Sequence, residues 1–573
     1  MKNLKLLFCS IIMIFVACFC SCSQFKKGDS VLTCQGVPLL GLNKEAVNAS
    51  IKEPEKQNCM YFEFSDKQRQ TMLAKVSSKK KLALQAVISV SAGNGKVTLG
   101  LMNNGQEENE YVSVSEVVSP SLEFDQTENV TLSLCFDPQK PVPSGMYISS
   151  TLPCSVSSVS FIDAIIGVDS LNHIYAAGPS GGEVNPGVID FSDGKKMFDT
   201  EMGPNSILPK ITVGLYPPAS IGTMDDPASI VFHYGPDSFK LYASPSQQTF
   251  TLQCAALTEP FAILSEDGKP NIHAAFMTAN SADEYAPNDD GIVTKGLECD
   301  IGFIFEWPQS RWRNKDYELF VWEEFPEVLI FDFKNYKVQN EFFTRIAYFV
   351  EKNGYKGTLV GDDFVRDKHG YNAHDYKGDD LARFFTLVSE KNFKINAREK
   401  ALRQILLDNG IILNNGDGTY SGGRGAVISI ARESAKDLRQ QLMAHESWHG
   451  IYFTDADFRD YVSELYDAFD KTSMEFLKTY FSSYASLQYD IKDDYLMHNE
   501  FMAYHLQQSV SATGPYFKTR ASWNTIANNN PAACNYVYRN DAKDFTETSR
   551  ALSQYVFERW GFKAGSTVLV QRQ

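Results

Sequence analysis

Beyond its first 22 residues the chain lacks any run of about 18 apolar residues, so nothing after that point has the length of a membrane-spanning helix. It lacks a basic block too: the densest is Lys79-Lys80-Lys81, in a chain of net charge −16. Three lysines in a row make a solvated edge, and an acidic surface repels phosphate backbones, so nucleic acid is excluded as a partner. No CxxC occurs among the cysteines after residue 22, which argues against a cysteine-built zinc site. Internal repeats are not evident. What remains is a globular composition, 43% hydrophobic and 22% charged over 573 residues, long enough for two to four domains.

The first residues are a targeting segment. Lys2 and Lys5 precede an apolar stretch, Leu6 to Phe19, of secretory rather than membrane-spanning length. Phe15-Val16-Ala17-Cys18 and Phe19-Cys20-Ser21-Cys22 both resemble relaxed lipoboxes of bacterial lipoproteins. The resemblance implies a lipidated cysteine as first mature residue. Cys22 is preferred because polar residues follow it (Ser23, Gln24, Lys26, Lys27), and Cys18 is the alternative. A plain cleaved signal peptide is the competing expectation. Either way the mature chain is exported to the cell envelope, and contact with the membrane is through the lipid anchor only. Cys34, Cys59, Cys135, Cys154, Cys254 and Cys299 then permit up to three disulfides, with Cys135–Cys154 a candidate pair by proximity. Cys534 is left over as a buried thiol.

Residues 23–60 read as an irregular leader, and 61–310 as an all-β, sandwich-like region. Lys81–Val90, Lys96–Leu101, Asn129–Cys135, Ser158–Ile162, Ser229–Tyr234 and Thr249–Cys254 are β-rich runs, several alternating at period two, with turn clusters such as Gly93-Asn94-Gly95 between them. Such modules bind glycans or surface partners or act as spacers, and fold alone decides none of these. His173, His233 and His273 stand isolated in this half.

Composition shifts at Glu306–Trp312, and residues 316–573 read as an α+β domain with a helical C-terminal subdomain. Val328–Phe333 is a buried strand, Phe342 to Val350 an amphipathic helix, and Gly357–Val360 a short strand. A polar, aromatic loop follows, His369–Tyr376, in which His369 and His374 either bind a metal or tie the loop down. Helices are expected at 379–391, 397–408, 456–470 and 474–488, and Gly425–Ala431 is a strand feeding the next helix.

That helix carries His445-Glu446-Ser447-Trp448-His449. Leu438, Leu442, His445, His449 and Tyr452 form one helical stripe, and Ser434 with Asp437 makes a capping-box-like start. Residues four apart stack on one helix face, so both imidazoles can reach one ion, with Glu446 beside the open coordination position. The arrangement suits a catalytic zinc, one per chain, whose Lewis acidity lowers the pKa of a water toward ~7 while a carboxylate takes the proton.

Two residues compete as third ligand. Asp455 lies six residues after His449, the spacing of some metzincins, but Tyr452 stands where that family has its turn-making glycine. Glu500 lies in Tyr495–Tyr504, where Asn499-Glu500 resembles the second zinc helix of gluzincins. The resemblance spans roughly 425–510 at motif level. It implies a zincin-type domain with zinc on His445, His449 and Glu500, Glu446 as general base, and peptide-bond hydrolysis as the reaction. It also implies that an edge strand ahead of the metal helix pairs with an extended substrate, the role expected of Gly425–Ala431. Tyr504 replaces the acidic residue of the gluzincin pattern, which leaves open what orients a zinc-bound histidine. Tyr504, His498, His505, Tyr452 and His374 are the candidate transition-state or supporting groups. The expected function is an exported, lipid-anchored zinc metallopeptidase acting on protein or peptide substrates. The alternatives are a surface-binding lipoprotein with an inactive zincin domain, and a zinc amidohydrolase acting on non-protein amides.

Overall fold

The computed structural model describes residues 285–573 without interruption. Ahead of these it describes residues 24–26, 31–35, 49–66, 69–70, 72–73, 81–105, 110–119, 121–136, 142–164, 189–190, 207–215, 221–234, 237–253, 262–263 and 272–281. The signal segment with Cys18 and Cys22, and also Cys254 and His173, lie outside the described residues.

The N-terminal half is β-rich. Lys81–Val90 is the centre of a four-stranded sheet, flanked by Glu128–Phe136 and Cys154–Ala164, with Ala49–Ile51 at the edge. A six-stranded sheet is built around Val97–Asn104, Gly145–Ser150 and Cys59–Glu63. Leu84, Ile88, Leu132 and Leu134 of the first share one core with Phe62, Leu99, Leu101 and Ile148 of the second. The period-two alternation of these strands is what turns one face of each sheet inward. The described residues of the segment 23–60 include strands rather than only irregular chain. Gln24–Lys26 and Val31–Gln35 join the six-stranded sheet, and Ala49–Ile51 the four-stranded one. These strands have three to five residues, too few to display a period.

Cys135 and Cys154 do not pair. Cys135 lies opposite Ala83 on the central strand, and Cys154 opposite Val90, seven positions further along it. At ~3.3 Å per residue that separation is several times the ~7 Å limit for a disulfide. Cys154, Cys299 and Cys534 are free, buried thiols.

The C-terminal domain starts ahead of residue 297 rather than at 316, because Leu297–Cys299 forms the first strand of its sheet. The order across the sheet is Leu297–Cys299, Tyr317–Trp322, Val328–Phe333, Ala426–Ala431, His374–Lys377. The last strand is antiparallel to its neighbour and forms the edge. Helices cover both faces. Tyr336–Val350, Gly378–Glu390 and Ala397–Asp408 pack on one side, over Leu329, Phe331 and Phe333. The helix Lys436–Thr454 and the helices after it pack on the other, over Val328, Ile330, Ile428 and Ile430. Val328–Phe333 is therefore buried on both faces, which is why it reads as a continuous apolar run. The chain finally returns to the β-rich half, where Val570–Arg572 adds a strand to the hairpin Ser229–Tyr234/Asp237–Tyr242. Among the described residues no helix is long and apolar enough to cross a membrane.

Residues 357–360 form no strand. Gly357 has φ +73°, and the Val360 carbonyl is used by the buried guanidinium of Arg345.

Candidate metal centre

The helix Lys436–Thr454 lies across the sheet with Trp448 and Ile451 in the core and Leu438 and Leu442 toward the surface. The stripe that carries the histidines thus runs from the surface at Leu438 into the core at Tyr452. Gly450 is where the helix comes closest to the sheet: a Cβ there would stand 3.1 Å from Val328 Cγ1. Ser434 does not cap the helix, which starts one residue later behind Ala435. Its hydroxyl pairs with Tyr336 instead, at 2.7 Å. The first turn is anchored by charge: Arg439 reaches the buried Asp332 at 2.9 Å, alongside Arg432 at 2.6 Å.

A second helix, Asp494–Leu506, faces the first. Trp448 Nε1 donates to the Leu506 carbonyl at 3.0 Å, which fixes the two helices against each other. Glu500, Tyr504 and Gln507 recur at four and three residues, so one face of this helix meets the HExxH stripe. The result is a convergence of three ligands. His445, His449 and Glu500 place one donor atom each within 4.8 Å of one another, all buried. His445 Nε2 stands 3.7 Å from Glu500 Oε2, and His449 Nε2 stands 3.9 Å from Glu500 Oε1. A tetrahedral ion with legs of ~2.1 Å needs ligand spacings of about 3.4 Å, so a small contraction closes the cage. The nitrogens of His449 and Glu500 Oε2 have no hydrogen-bond partner, although both residues are at least nine-tenths buried. Orphaned buried polar atoms of this kind fit a bound cation.

Protonation favours the same use. Burial, and for His445 the neighbouring His449, hold His445 well below the ordinary imidazole value and His449 at about 4. Both rings are therefore neutral near pH 7. Burial raises the Glu446 and Glu500 carboxyls well above their usual range and Asp375 to about 8, and repulsion among these acids and Glu351 adds to it. A dication would invert this logic and hold the carboxyls ionised.

His445 is oriented by a residue from far along the chain. Gln507 Oε1 accepts from His445 Nδ1 at 3.0 Å, which leaves Nε2 as the lone-pair nitrogen. Asp375 Oδ2 lies 3.8 Å from His449 Nδ1, and Asp375, Glu446 and His449 form a second cluster within 4.8 Å. Glu446 is 5% exposed and lies against Asp375. Gln507 thus supplies a hydrogen-bond acceptor for His445, and Asp375 a carboxylate near His449. Tyr504 packs edge-on to the His445 ring at 5.1 Å, and Tyr489 contacts both Glu500 and Tyr504.

The remaining expected residues lie elsewhere. Asp455 caps the next helix, accepting from Phe458 N at 2.8 Å, and pairs with Arg559 at 3.1 Å. His498 packs against Tyr466 at 4.1 Å with the rings tilted and meets Ser463 Oγ at 3.2 Å, on a different face of its helix from Glu500. His505 sits in the core, bonded to the Phe501 carbonyl at 2.6 Å and stacked on Phe545 at 5.4 Å. Tyr452 packs on Tyr495 at 5.4 Å, its hydroxyl pushed up to about 12 by burial. His374 is turned to the opposite face of the sheet, stacked on Phe343 at 5.2 Å and bonded to Ser429 Oγ. Strand alternation explains this: His374 and Tyr376 face one way, Asp375 and Lys377 the other. His369 ties its loop down through Asn340 and Asn372, both at 2.8 Å. Ala426–Ala431 is not the edge strand, since His374–Lys377 covers it on the side of the site.

No family model matches the chain, and no curated protein or solved structure matches it.

Proposed function

We propose that the C-terminal domain is a zincin-type, gluzincin-like zinc metallopeptidase. The observation that carries the proposal is the convergence of two neutral imidazoles and the Glu500 carboxylate, with Glu446 beside them, at the edge of a sheet. His445, His449 and Glu500 would hold the ion. Their two-nitrogen, one-oxygen donor set suits zinc, which when bound supplies Lewis acidity toward a scissile carbonyl and a water.

Glu446 is the general base. It takes a proton from the attacking water and later delivers it to the leaving amine. Its place against Asp375 holds the carboxyl in one orientation. Asp375 and Gln507 fix the ring positions of His449 and His445, so removing either loosens the ligand set without touching the substrate. The free edge of His374–Lys377 offers backbone donors and acceptors to an extended peptide, which supports substrate pairing by strand addition. Tyr371 is a donor for a developing oxyanion, because its hydroxyl is buried, unpartnered and within electrostatic reach of Glu500. The lipobox-like segment extends the proposal to an exported chain anchored by Cys22, or alternatively Cys18.

Glu446→Gln tests the mechanism. Hydrolysis of a peptide library should fall about 10²–10⁴-fold while bound zinc per chain is unchanged. Unchanged turnover would remove Glu446 from the reaction.

A further inference from the structure

A cleft of about 490 Å³ leads away from Glu500 along the edge strand. We propose that it receives a cationic group of the substrate, either a lysine or arginine side chain or a free α-amine. This deepens the peptidase proposal and rests on it for the identity of the substrate as a peptide.

Charge on the cleft wall is unequal. Five carboxylates line it, Glu351, Asp375, Asp380, Asp493 and Glu500, against three cations. Two of those cations are already committed at the outer end: Lys356 to Asp493 at 2.7 Å and Arg383 to Asp380 at 3.0 Å. The third, Lys377, stands over the Tyr495 ring at 3.8 Å. Glu500 would be taken by the metal. That leaves Asp375 at the inner end with no cation beside it, and Glu351 with a single neighbouring cation, Lys352. Lys352, next to Glu351 in sequence, is held over the Tyr371 ring at 3.4 Å.

Hydrogen bonding points the same way, independently of charge. Asn499 lines the cleft, is 4% exposed, and its Oδ1 accepts from nothing. Glu351 Oε1 is likewise buried without a partner. Buried acceptors without donors are costly, and a ligand carrying several N–H donors and a positive charge satisfies them together. Phe453, Tyr495 and Leu496 give the same cleft an apolar wall, which suits the aliphatic stem of a lysine or arginine.

The test has a binding arm and a cleavage arm on the full-length, zinc-loaded chain. For binding, Glu446→Gln is titrated calorimetrically with Nα-acetyl-lysine amide, norleucine amide and Nα-acetyl-norleucine amide. One of the two cationic probes should bind at least about tenfold tighter than the neutral one. Preference for the first assigns the cleft to a side chain, preference for the second to a chain terminus. Equal affinity for all three overturns the proposal. For cleavage, wild type acts on a peptide library, and lysine, arginine or the N-terminal residue should recur at one fixed position from the cut. The ratio of kcat/KM for lysyl over norleucyl peptides should fall about tenfold in Glu351→Gln. Cleavage without any such preference overturns the cleft assignment and leaves the peptidase proposal standing. Selective binding of a cationic probe with no cleavage of any peptide does the reverse.

Discussion

Buried polar clusters lie on both faces of the central sheet, and two of them are completed differently. On the face covered by Tyr336–Val350, Arg345 is 1% exposed and Glu399 2%, and they pair at 2.8 Å. Arg345 also reaches Asp362 and the Val360 carbonyl, while Glu399 closes a capping box by accepting from Asn396 N at 2.8 Å. Each of these groups is satisfied within the chain. On the other face His449, Glu500 and Asn499 are as deeply buried, yet each keeps polar atoms without a partner. Desolvation costs both clusters alike, so the difference lies in what repays it. A closed cluster holds the fold together. An open one is stable in full only when something from outside completes it.

The largest effect expected from this contrast is on stability. Glu399→Ala leaves the Arg345 guanidinium buried without its main partner and should cost about 3–5 kcal/mol in urea unfolding. Glu500→Gln in the metal-free chain should cost nothing or raise the midpoint, since it removes an unsatisfied acid. Equal losses in the two variants would erase the distinction between the faces.

Acid sharpens the comparison. His505 lies on the same helix as Glu500 but is enclosed by aromatic rings, and burial holds it at about 4. Its folded value lies below its unfolded value near 6.5, so the unfolded chain binds the extra proton between the two. Its contribution is complete above about pH 6.5 and is lost as pH falls toward 4, worth about 3 kcal/mol at most. Unfolding measured from pH 7 to 4 should show this loss with or without zinc, and His505→Phe should make the slope shallower by the His505 share. A profile that zinc abolishes would place His505 with the open cluster.

Smaller effects belong to the residues that orient the ligands. Gln507→Ala and Asp375→Asn should each weaken zinc binding about 10–100-fold, read by competition with a chelator, with little change in metal-free stability. Unchanged affinity in both would mean that the rings are held by packing alone.

Much of this arrangement was legible in the sequence, because helical spacing is local. The pair His445 and His449 with the adjoining Glu446 follows from periodicity within a short window, as does the strand Val328–Phe333, whereas Glu500 was reached through the resemblance of Asn499-Glu500 to the second zinc helix of gluzincins. Contacts between distant segments were not legible. Asp375 arrives from an edge strand of four residues, where shifting attention by one residue to His374 lands on the wrong face. Gln507 had a signal that went unused: it continues the Glu500–Tyr504 stripe by three residues. The strands between residues 24 and 51 were too short to carry a period, and the disulfide expected between Cys135 and Cys154 fails because sequence proximity says nothing about sheet register.

Zinc stoichiometry tests the central claim most directly, measured on the full-length wild type beside Glu500→Ala and Asp455→Ala. The account predicts one zinc per chain in the wild type, retained in Asp455→Ala and lost in Glu500→Ala. Loss in Asp455→Ala alone, or no zinc in the wild type after reconstitution, would contradict it.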